Sequence, residues 1–379
     1  MGVGIEASWR ALTDGSAAVV DTDRFAPYPV HPAPEIDWSE QIPKRGDQRQ
    51  MEAWQRLGTY AAGLALDDAG IKGDETLTGT MDMIVAAAGG ERDVSVDTMI
   101  LGEAAAGRSD TGVLINEKLT TELRPTLFLA QLSNLLAGNI SIVHKVTGSS
   151  RTFMGEEGAG MSAVQTAVAR IRAGQSTHVL VGAAFNAEHP DMLLGYEMNG
   201  HLARGPFRPV AERASGEGGG LVAGSGGVFL VIEEAGHAKA RGATIHAAIG
   251  PVAVDAGEAD GTQARLESLA VEAGIDEADM IVSANSGALA RSAVEKSAAA
   301  RWPEKSVRAI ANKTGHLREA QFPLAIAVAA LSIAKGQPVA PLESAEAPAN
   351  DAPGAIGVIA LGHQTAEAMV RVATPEPTQ

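Results

Sequence analysis

The sequence has no cysteine among its 379 residues. This absence excludes disulfide bonds, thiolate metal ligands and any thiol nucleophile. Aromatic residues are also scarce, at 4%, so the hydrophobic content of 45% comes mainly from alanine, valine, leucine and isoleucine. Such a composition suits helices that pack closely on sheets. Since no apolar run reaches about 18 residues, we expect no membrane-spanning helix.

Positively charged residues are fewer than negatively charged ones: 30 Lys and Arg against 46 Asp and Glu give a formal net charge of −16. Because nucleic acid repels an acidic surface, we exclude a large nucleic-acid interface. The N-terminal stretch MGVGIEASWR has no basic segment followed by an apolar one, so it does not resemble a secretory signal. We therefore expect a cytoplasmic protein that neither binds nucleic acid nor inserts into a membrane.

Segments with strand and helix character alternate along the chain, which predicts a layered α/β fold. The helices Ala159–Ala173 and Glu319–Lys335 are largely apolar, so we expect them to be buried between two sheets. We expect Ala243–Val254 to pair with the strand Val228–Glu234. The glycine-rich segment Ala214–Gly227 that precedes them is expected to be mobile.

The remaining helices and strands are predicted from the periodicity of apolar residues and from glycines at the ends of these segments. The other predicted strands are Met81–Gly90, Arg151–Gly155, Thr177–Phe185, Asp279–Asn285, Gly354–Gly362 and Ala368–Ala373, and the other predicted helices are Met51–Ile71, Leu127–Leu136 and Thr262–Ala273. Two segments, Gly155–Gln175 and Thr314–Gln337, each run from a glycine loop through a helix to a Gly-Gln ending. This indicates either an internal duplication or a chance match of two helix ends.

Three longer segments carry a family resemblance. GGGLVAGSGGVFLVIEEAGHAKARGATIHAAIG (Gly218–Gly250) combines a glycine-rich loop, an apolar strand and a helix that ends in a Lys-Ala-Arg-Gly-Ala turn. LFLAQLSNLLAGNISIVHKVTG (Leu127–Gly148) and GVGIEASWRALTDG (Gly2–Gly15) add a helix with a following strand and an N-terminal loop with a helix. Together they resemble the β-ketoacyl-ACP synthases (3-oxoacyl-ACP synthases), which are thiolase-like condensing enzymes, over nearly the whole chain.

The resemblance implies a thiolase-like α/β fold in which two similar halves, residues 1–235 and 236–379, form five layers of helix, sheet, helix, sheet and helix. Each half would hold a five-stranded mixed sheet, and family members pair as dimers through the strand near the nucleophile. The family has a further strand before the loop that matches Gly2–Gly4, and this sequence lacks it. Either the reading frame starts elsewhere or a central sheet position is filled differently, since an empty one would leave backbone groups unpaired.

The resemblance also indicates where the family's catalytic groups would lie. The nucleophilic cysteine opens the buried helix in a Thr-Ala-Cys-Ala-x-Gly-like turn, where the helix dipole lowers the pKa of the thiol. Matching that glycine to Gly160 and the glycine at the helix end to Gly174 places Glu157 at the cysteine position. Glu156 takes this position if the register slips by one. From the residues alone, Glu157 is a first-turn carboxylate that the helix dipole favours.

Only one of the family's two catalytic histidines is retained. The first lies in an Asn-Ala-His-Gly-Thr-like motif, and the matching stretch SANSGAL has Asn285 in its place. The second is His316, in the sequence TGHLREA after Thr314. The structural and the catalytic interpretation of His316 both stay open. The family's lysine five residues earlier becomes Ala311, and Lys313 lies on a different face of the helix.

Other family motifs have changed as well. In the closing loop IALGHQTA, Leu361 replaces the gatekeeping phenylalanine and Gly362 is retained. Ser225 replaces the glutamate of a Met-Gly-Glu-Gly-Ala-Gly loop, and Val210 replaces the aspartate of an Arg-Pro-Phe-Asp turn. The residues predicted from the resemblance are Glu157, Asn285 and His316 at the catalytic positions, and Thr314, Leu361 and Gly362 at substrate-binding positions.

These substitutions predict a homologue of fatty acid or polyketide synthases that cannot condense acyl chains alone, with Glu157 and His316 joined in an ion pair. We expect a chain-length-factor-like partner subunit that forms a homodimer or a heterodimer with an active ketosynthase and works with acyl carrier protein. Malonyl-ACP decarboxylation, acyl transfer through a mixed anhydride on Glu157, and ordinary 3-oxoacyl-ACP synthesis are the alternatives. We expect no cofactor and no metal site.

Overall fold

The computed structural model describes residues 1–125, 127, 131–257, 261–349 and 351–376. Over these residues the α-helices, α1 to α14 in chain order, are Gly4–Thr13, Arg45–Gln50, Ala53–Asp68, Glu75–Thr80, Val94–Ala105, Thr111–Thr121, Leu135–His144, Glu157–Arg172, Pro190–Met198, Ala235–Ala240, Thr262–Ala273, Leu289–Ala299, Ala311–Thr314 and Gln321–Lys335. The strands, β1 to β13, are Val30–His31, Asp82–Ala86, Ser150–Phe153, His178–Phe185, Ala203–Arg204, Glu217–Gly218, Ala223–Gly224, Gly226–Glu233, Ala248–Asp255, Met280–Ser283, Ser306–Ala309, Ala355–Leu361 and Glu367–Ala373.

The first of the two large sheets has the strand order β3-β2-β4-β8. Strands β2, β3 and β4 are parallel, and β8 is antiparallel to β4. Every residue of β2 (Asp82–Ala86) and β4 (His178–Phe185) is buried. Burial of whole strands is typical of parallel sheets with helices on both faces, which explains the continuous apolar character of these segments.

The second large sheet has the order β11-β10-β12-β13-β9. Its strands β10, β11 and β12 are parallel, β13 is antiparallel to β12, and β9 is antiparallel to β13. Its first four strands therefore repeat the order and the directions of the first sheet. This repetition favours internal duplication over a chance match of helix ends.

One predicted strand pairing was wrong. The segment predicted as Ala243–Val254 forms β9 (Ala248–Asp255), which pairs with β13 in the second sheet. It does not pair with β8 (Gly226–Glu233), whose partner is β4 in the first sheet. The two segments are neighbours along the chain, and their apolar character alone does not specify the sheet to which each belongs.

The repeat also locates a strand position that no described residue fills. In the second sheet β9 lies beside β13, and among the described residues no strand occupies the matching place beside β8. That place is at the sheet edge, whereas we had expected a central position to be affected. Most residues of β8 are only half-buried, which suits a strand at the edge of a sheet.

Two helices lie between the sheets. Helix α8 (Glu157–Arg172) packs against β4 and β9, α14 (Gln321–Lys335) packs against β12 and β8, and the two helices contact each other. Small buried residues such as Ala167 and Ala325 let them approach closely. The sequence predicted both helices, although Arg318–Ala320 at the start of the second is a 3₁₀ turn.

The predicted helix Leu127–Leu136 falls partly on residues 128–130, which lie outside the described residues. Of the described residues in this segment, Leu127 is helical, and the helix Leu135–His144 continues beyond the predicted end. Among the described helices, none is both long enough and apolar enough to cross a bilayer.

Candidate functional site

Glu157 is the first residue of helix α8, just after strand β3 (Ser150–Phe153). The chain turns between them at Gly155, whose φ of +147° is readily adopted by glycine. The Glu157 side chain is buried. At this position the free N–H groups of the first helical turn favour a negative charge.

Two imidazoles contact the carboxylate of Glu157. Its Oε1 lies 2.6 Å from Nε2 of His316 and 2.8 Å from Nδ1 of His363. The backbone N–H of His363 donates to the same oxygen at 3.0 Å, and Nδ1 of His363 lies 3.1 Å from Oε2. All three side chains are almost completely buried. The predicted contact between Glu157 and His316 is present, and a third residue joins it.

The glycine-rich segment holds the backbone of His316. The N–H of His316 donates to the carbonyl of Val222 at 2.8 Å, and its carbonyl accepts from the N–H of Gly224 at 3.0 Å. A Cβ on Gly224 would collide with the carbonyl oxygen of Thr314. Residues 220–225 are buried, so the glycines of Ala214–Gly227 allow close backbone packing here rather than the mobility that we had predicted.

His363 was missed by the sequence analysis. It lies in the closing loop after strand β12 (Ala355–Leu361), where only Leu361 and Gly362 had been given a role. A Cβ on Gly362 would lie 3.3 Å from Oε2 of Glu157, so this loop passes directly over the carboxylate. The signal that could have revealed His363 was its position beside a retained glycine, in a loop that the resemblance assigns to the active site.

Asn285, predicted at the first histidine position, is held within its own loop. Its side-chain oxygen accepts a hydrogen bond from the backbone N–H of Gly287 at 2.6 Å and one from the hydroxyl of Ser292 at 3.0 Å. Within the described residues no hydrogen bond joins Asn285 to Glu157. The structure therefore does not bring Asn285 into direct contact with the Glu157 carboxylate.

The three residues predicted to bind substrate do not all lie at the Glu157 carboxylate. The hydroxyl of Thr314 donates to the carbonyl of Gly315 at 2.8 Å, so it stabilises the turn before His316. Leu361 is buried in the apolar cluster between the second sheet and helix α11 (Thr262–Ala273). Gly362 is the member of this set that lies against Glu157.

A further group of polar residues surrounds the carboxylate and its two imidazoles. The ring of Tyr196 packs edge-on against His363 with a centroid distance of 5.1 Å. Among the described residues, the buried hydroxyl of Tyr196 and both carboxylate oxygens of Glu319 have no hydrogen-bond partner. The guanidinium of Arg318 lies 3.5 Å from Glu319 and 3.2 Å from Glu156. The space beside Glu319 measures about 20 Å³, which is room for about one water molecule.

The charge states follow from burial and from these contacts. Burial alone would raise the pKa of Glu157, but the attraction and hydrogen bond of His316, together with those of His363, hold this pKa well below 4.5. Burial would lower the pKa of His363, yet its hydrogen bond and attraction to Glu157 raise it above 6.5. Burial also raises the pKa of Glu319 to about 7. The cluster therefore contains an ionised Glu157 beside an acid that is partly neutral at neutral pH.

The chemistry open to this cluster is limited. A carboxylate is a weak acyl acceptor compared with a thiolate, and both oxygens of Glu157 are already engaged. The three side chains do offer a carboxylate and two imidazoles whose ligand atoms all lie within 4.8 Å of one another. Such a group can hold a proton or a cation between its members.

Comparison with known sequences identifies relatives of the chain. The family described as "Beta-ketoacyl synthase, N-terminal domain" matches residues 1–238. The 3-oxoacyl-[acyl-carrier-protein] synthase 2 of Vibrio harveyi is 26% identical over 250 residues, which cover 64% of this chain and 57% of that protein. The tetracenomycin polyketide synthase ketoacyl synthase beta subunit of Streptomyces glaucescens is 28% identical over 256 residues, with the same two coverages of 64% and 57%. The match thus spans less than two thirds of either relative.

Solved structures share the fold. The ishigamide ketosynthase/chain length factor superposes with a TM-score of 0.78 at 20% identity, covering 99% of this chain and 96% of that chain. A β-ketoacyl synthase from Burkholderia phymatum STM815 gives 0.74 at 19% identity, with coverages of 97% and 94%. These likenesses confirm the thiolase-like α/β fold. Since the family match covers more than half of its residues, the chain belongs to the β-ketoacyl synthase family.

Proposed function

We propose that this chain is a condensation-inactive β-ketoacyl synthase subunit that pairs with an active ketosynthase and works on chains carried by an acyl carrier protein. The observation that carries the proposal is the state of Glu157. Glu157 begins its helix, where matching the family's motif to Gly160 and Gly174 puts the cysteine position, and its buried carboxylate is hydrogen-bonded with His316 and His363. With no cysteine anywhere in the sequence, the chain has no thiol to accept an acyl group.

The surroundings of Glu157 also disfavour condensation by the chain alone. A condensing enzyme needs a free nucleophile and imidazoles that can turn toward a substrate carbonyl. Here both imidazoles are directed at the carboxylate of Glu157. The neighbouring space at Glu319 has room for about one water molecule and not for an acyl chain.

Relatives of the same kind support a partner role. One is named as the beta subunit of a polyketide ketoacyl synthase, and one solved structure is a ketosynthase/chain length factor. A third structural neighbour is a type II polyketide synthase acyl-carrier protein in complex with its ketosynthase. These names describe the relatives, and the proposal extends the same kind of partnership to this chain.

The edge of the first sheet offers a surface for such a partner. Strand β3 (Ser150–Phe153) is the last strand on that side, and its first two residues are exposed. A groove of about 500 Å³ runs beside it, lined by residues of β3 and of helix α7 (Leu135–His144). Two exposed apolar residues are next to these elements in the sequence: Ile142, which follows the lining residue Ser141 in α7, and Met154, which follows β3, are 59% and 68% exposed. An open strand edge with apolar neighbours is suited to pairing with another chain.

Co-expression tests the pairing. The tagged chain is co-expressed with each cysteine-containing ketosynthase of the source organism. The molar masses of the complexes are then measured by size-exclusion chromatography with light scattering. We expect a one-to-one complex with one of them, which Ile142→Asp and Met154→Asp abolish. Met198→Asp, at a residue with 79% exposure on helix α9 (Pro190–Met198), is the matched control and should leave the complex intact. A chain that only self-associates would overturn the proposal.

Acyl transfer tests the inactivity separately. Radiolabelled acyl-ACP is incubated with the isolated chain, and bound label is measured after denaturation. We expect none, because a carboxylate whose two oxygens are both hydrogen-bonded is poorly placed to attack a thioester. Stable label on Glu157 would instead establish the alternative, an acyltransferase that works through a mixed anhydride.

Malonyl-ACP decarboxylation is the second candidate, and His363 is the observation that favours it. Decarboxylation needs groups that stabilise an enolate rather than a thiol, and His363 provides a second imidazole next to His316. The negative charge of Glu157 opposes both the malonyl carboxylate and the enolate. Release of carbon dioxide from malonyl-ACP is measured with the wild type and with His316→Ala. Release that depends on His316 supports this function, and no release from either protein eliminates it.

A further inference from the structure

We propose that Glu157, His316 and His363 form a binding site for one divalent transition-metal ion of the zinc class. Nothing in the sequence indicated a metal site, because the chain lacks cysteine and because His363 had no assigned role. This inference goes beyond the proposed partner function and does not depend on it. A metal ion can bind at this cluster whether or not the chain pairs with a ketosynthase.

The donor set is one that such ions accept. Two imidazoles and one carboxylate are the protein ligands of many zinc and non-haem iron sites, and they leave at least one position open. The three side chains come from three separate parts of the fold: the start of helix α8, the turn before Arg318–Ala320, and the loop after strand β12. Their ligand atoms nevertheless all lie within 4.8 Å of one another.

The spacing requires only a small adjustment. Ligand atoms at about 2.1 Å from a tetrahedral ion lie roughly 3.4 Å apart. Nδ1 of His363 is already 3.1 Å from Oε2 of Glu157, whereas Nε2 of His316 is 2.6 Å from Oε1. Oε1 is also fixed by the backbone N–H of His363 at 3.0 Å. A rotation of the carboxylate that separates it from His316 by several tenths of an ångström would make room for the ion.

The surrounding charges favour a cation. Glu156 and Glu319 lie near the cluster in addition to Glu157, and the guanidinium of Arg318 is the positive group that contacts both of them. Nδ1 of His363 lies 2.8 Å from Oε1 of Glu157 and its Nε2 lies 3.5 Å from Oε2 of Glu156, so two carboxylates attract a positive charge at this ring. An ion that replaces the proton of His363 would experience the same attraction with twice the charge.

Tyr196 provides a second, independent indication. Its hydroxyl is buried and has no hydrogen-bond partner among the described residues, which is costly for a polar group. Its ring packs against His363 at 5.1 Å. A water molecule in the open position of the ion is the partner that this hydroxyl lacks.

The outer side of the cluster provides a route for the ion. Nε2 of His363 faces Oε2 of Glu156 at 3.5 Å, and the Glu156 side chain is 43% exposed. The ring of His201 lies 4.9 Å from that of His363 and contacts the exposed Gln364. A hydrated ion can therefore approach Glu156 first. Binding then displaces the imidazole proton to solvent, so the affinity falls as the pH is lowered.

Calorimetry tests the site. The full-length protein is stripped with a chelator and titrated with Zn²⁺, together with Glu157→Gln, His363→Ala and the control His246→Ala. His246 pairs with Asp68 at 2.8 Å near the surface and lies outside the cluster. Loss of an outer-shell partner alone costs a metal site about 10- to 100-fold in affinity. We therefore expect the two cluster variants to bind the tightest equivalent of Zn²⁺ at least about 100-fold more weakly, and the control to bind it normally.

X-ray absorption on the zinc-loaded wild type keeps the test independent of how the variants fold. We expect a first shell at about 2.0–2.1 Å that contains two imidazoles and oxygen. A spectrum with one imidazole or none would overturn the proposal. Equal affinity in wild type and both cluster variants, or no tight equivalent in the wild type, would do the same.

Discussion

Oε1 of Glu157 lies 2.6 Å from Nε2 of His316, although the two residues are 159 positions apart in the sequence. Neither side chain has appreciable contact with solvent. Glu157 is the hydrogen-bond partner of Nε2 of His316, and Nδ1 of His316 has no partner among the described residues. Loss of Glu157 would therefore leave a buried imidazole without compensation. The helix start and the turn before the 3₁₀ segment are joined by this contact.

Removal of the carboxylate should destabilise the fold. We expect Glu157→Ala to lower the free energy of unfolding by about 3–5 kcal/mol, because it leaves buried imidazoles without their partner. Glu157→Gln should cost less, since the amide keeps the shape and can bond neutral imidazoles. Urea denaturation measures both. Glu6→Ala, which removes an exposed pair with Lys335, is the control, and an effect of Glu157→Ala no larger than that control would contradict the prediction.

Replacement of the acid by a thiol should recover acyl acceptance. We expect Glu157→Cys to be acylated by acyl-ACP, because the helix start and two imidazoles lower the pKa of a thiol at this position. Intact-mass spectrometry detects the adduct without ambiguity in a chain that has no other cysteine. Glu156→Cys, one residue earlier and more exposed, is the matched control. Acylation of the control alone would show that the nucleophile position lies at Glu156.

The sequence predicted what depends on local periodicity and on spacing. The helix predicted as Ala159–Ala173 is Glu157–Arg172, and the helix predicted as Thr262–Ala273 has those bounds in the structure. The helix register was assigned from Gly160. Position 160 requires glycine, because a Cβ there would collide with the carbonyl of Glu319. Patterns of this kind lie within one element and can be recognised without its neighbours.

What the sequence could not predict depends on contacts between distant segments. The contact of His363 with Glu157 joins residues that are 206 positions apart, and no local pattern specifies it. The choice of β13 rather than β8 as the partner of β9 is of the same kind. The glycines of Ala214–Gly227 predicted a mobile loop because composition does not show that another backbone, that of Thr314, packs against Gly224.

The ion pair should make stability depend on pH in a defined direction. The pKa of Glu157 is below 4.5, so its contribution is present above pH 4.5 and is lost as the pH falls through the lowered value. The pKa of His363 is above 6.5, so its contribution is complete below pH 6.5 and is lost as the pH rises through the raised value. We expect His363→Asn to destabilise most between these limits. Urea denaturation at about pH 5.5 and at about pH 9 should show a larger difference from wild type at the lower pH.

Glu319 should have the opposite effect on stability. Its folded-state pKa of about 7 exceeds the ordinary 4.5 because it is buried, so ionisation destabilises the fold progressively as the pH rises between these two values. This difference corresponds to about 3 kcal/mol. We expect Glu319→Gln to match wild type near pH 4 and to be more stable by up to that amount above pH 7. Equal pH profiles for the two proteins would show that Glu319 is not a buried, partly neutral acid.

The close approach of helix α8 to the segment after His316 should depend on Gly160. An added methyl group there would meet the backbone carbonyl of Glu319, which cannot rotate away. We expect Gly160→Ala to cost about 2 kcal/mol or more, because the helix and the segment must separate. Gly195→Ala in helix α9 is the control, since nothing lies within 4 Å of a Cβ there. This control should be neutral or stabilising by about 0.5–1 kcal/mol, because alanine is the better helix former. Similar melting temperatures for both variants would mean that the two segments are not packed as tightly as the structure shows, and the contact between Glu157 and His316 would lose its support.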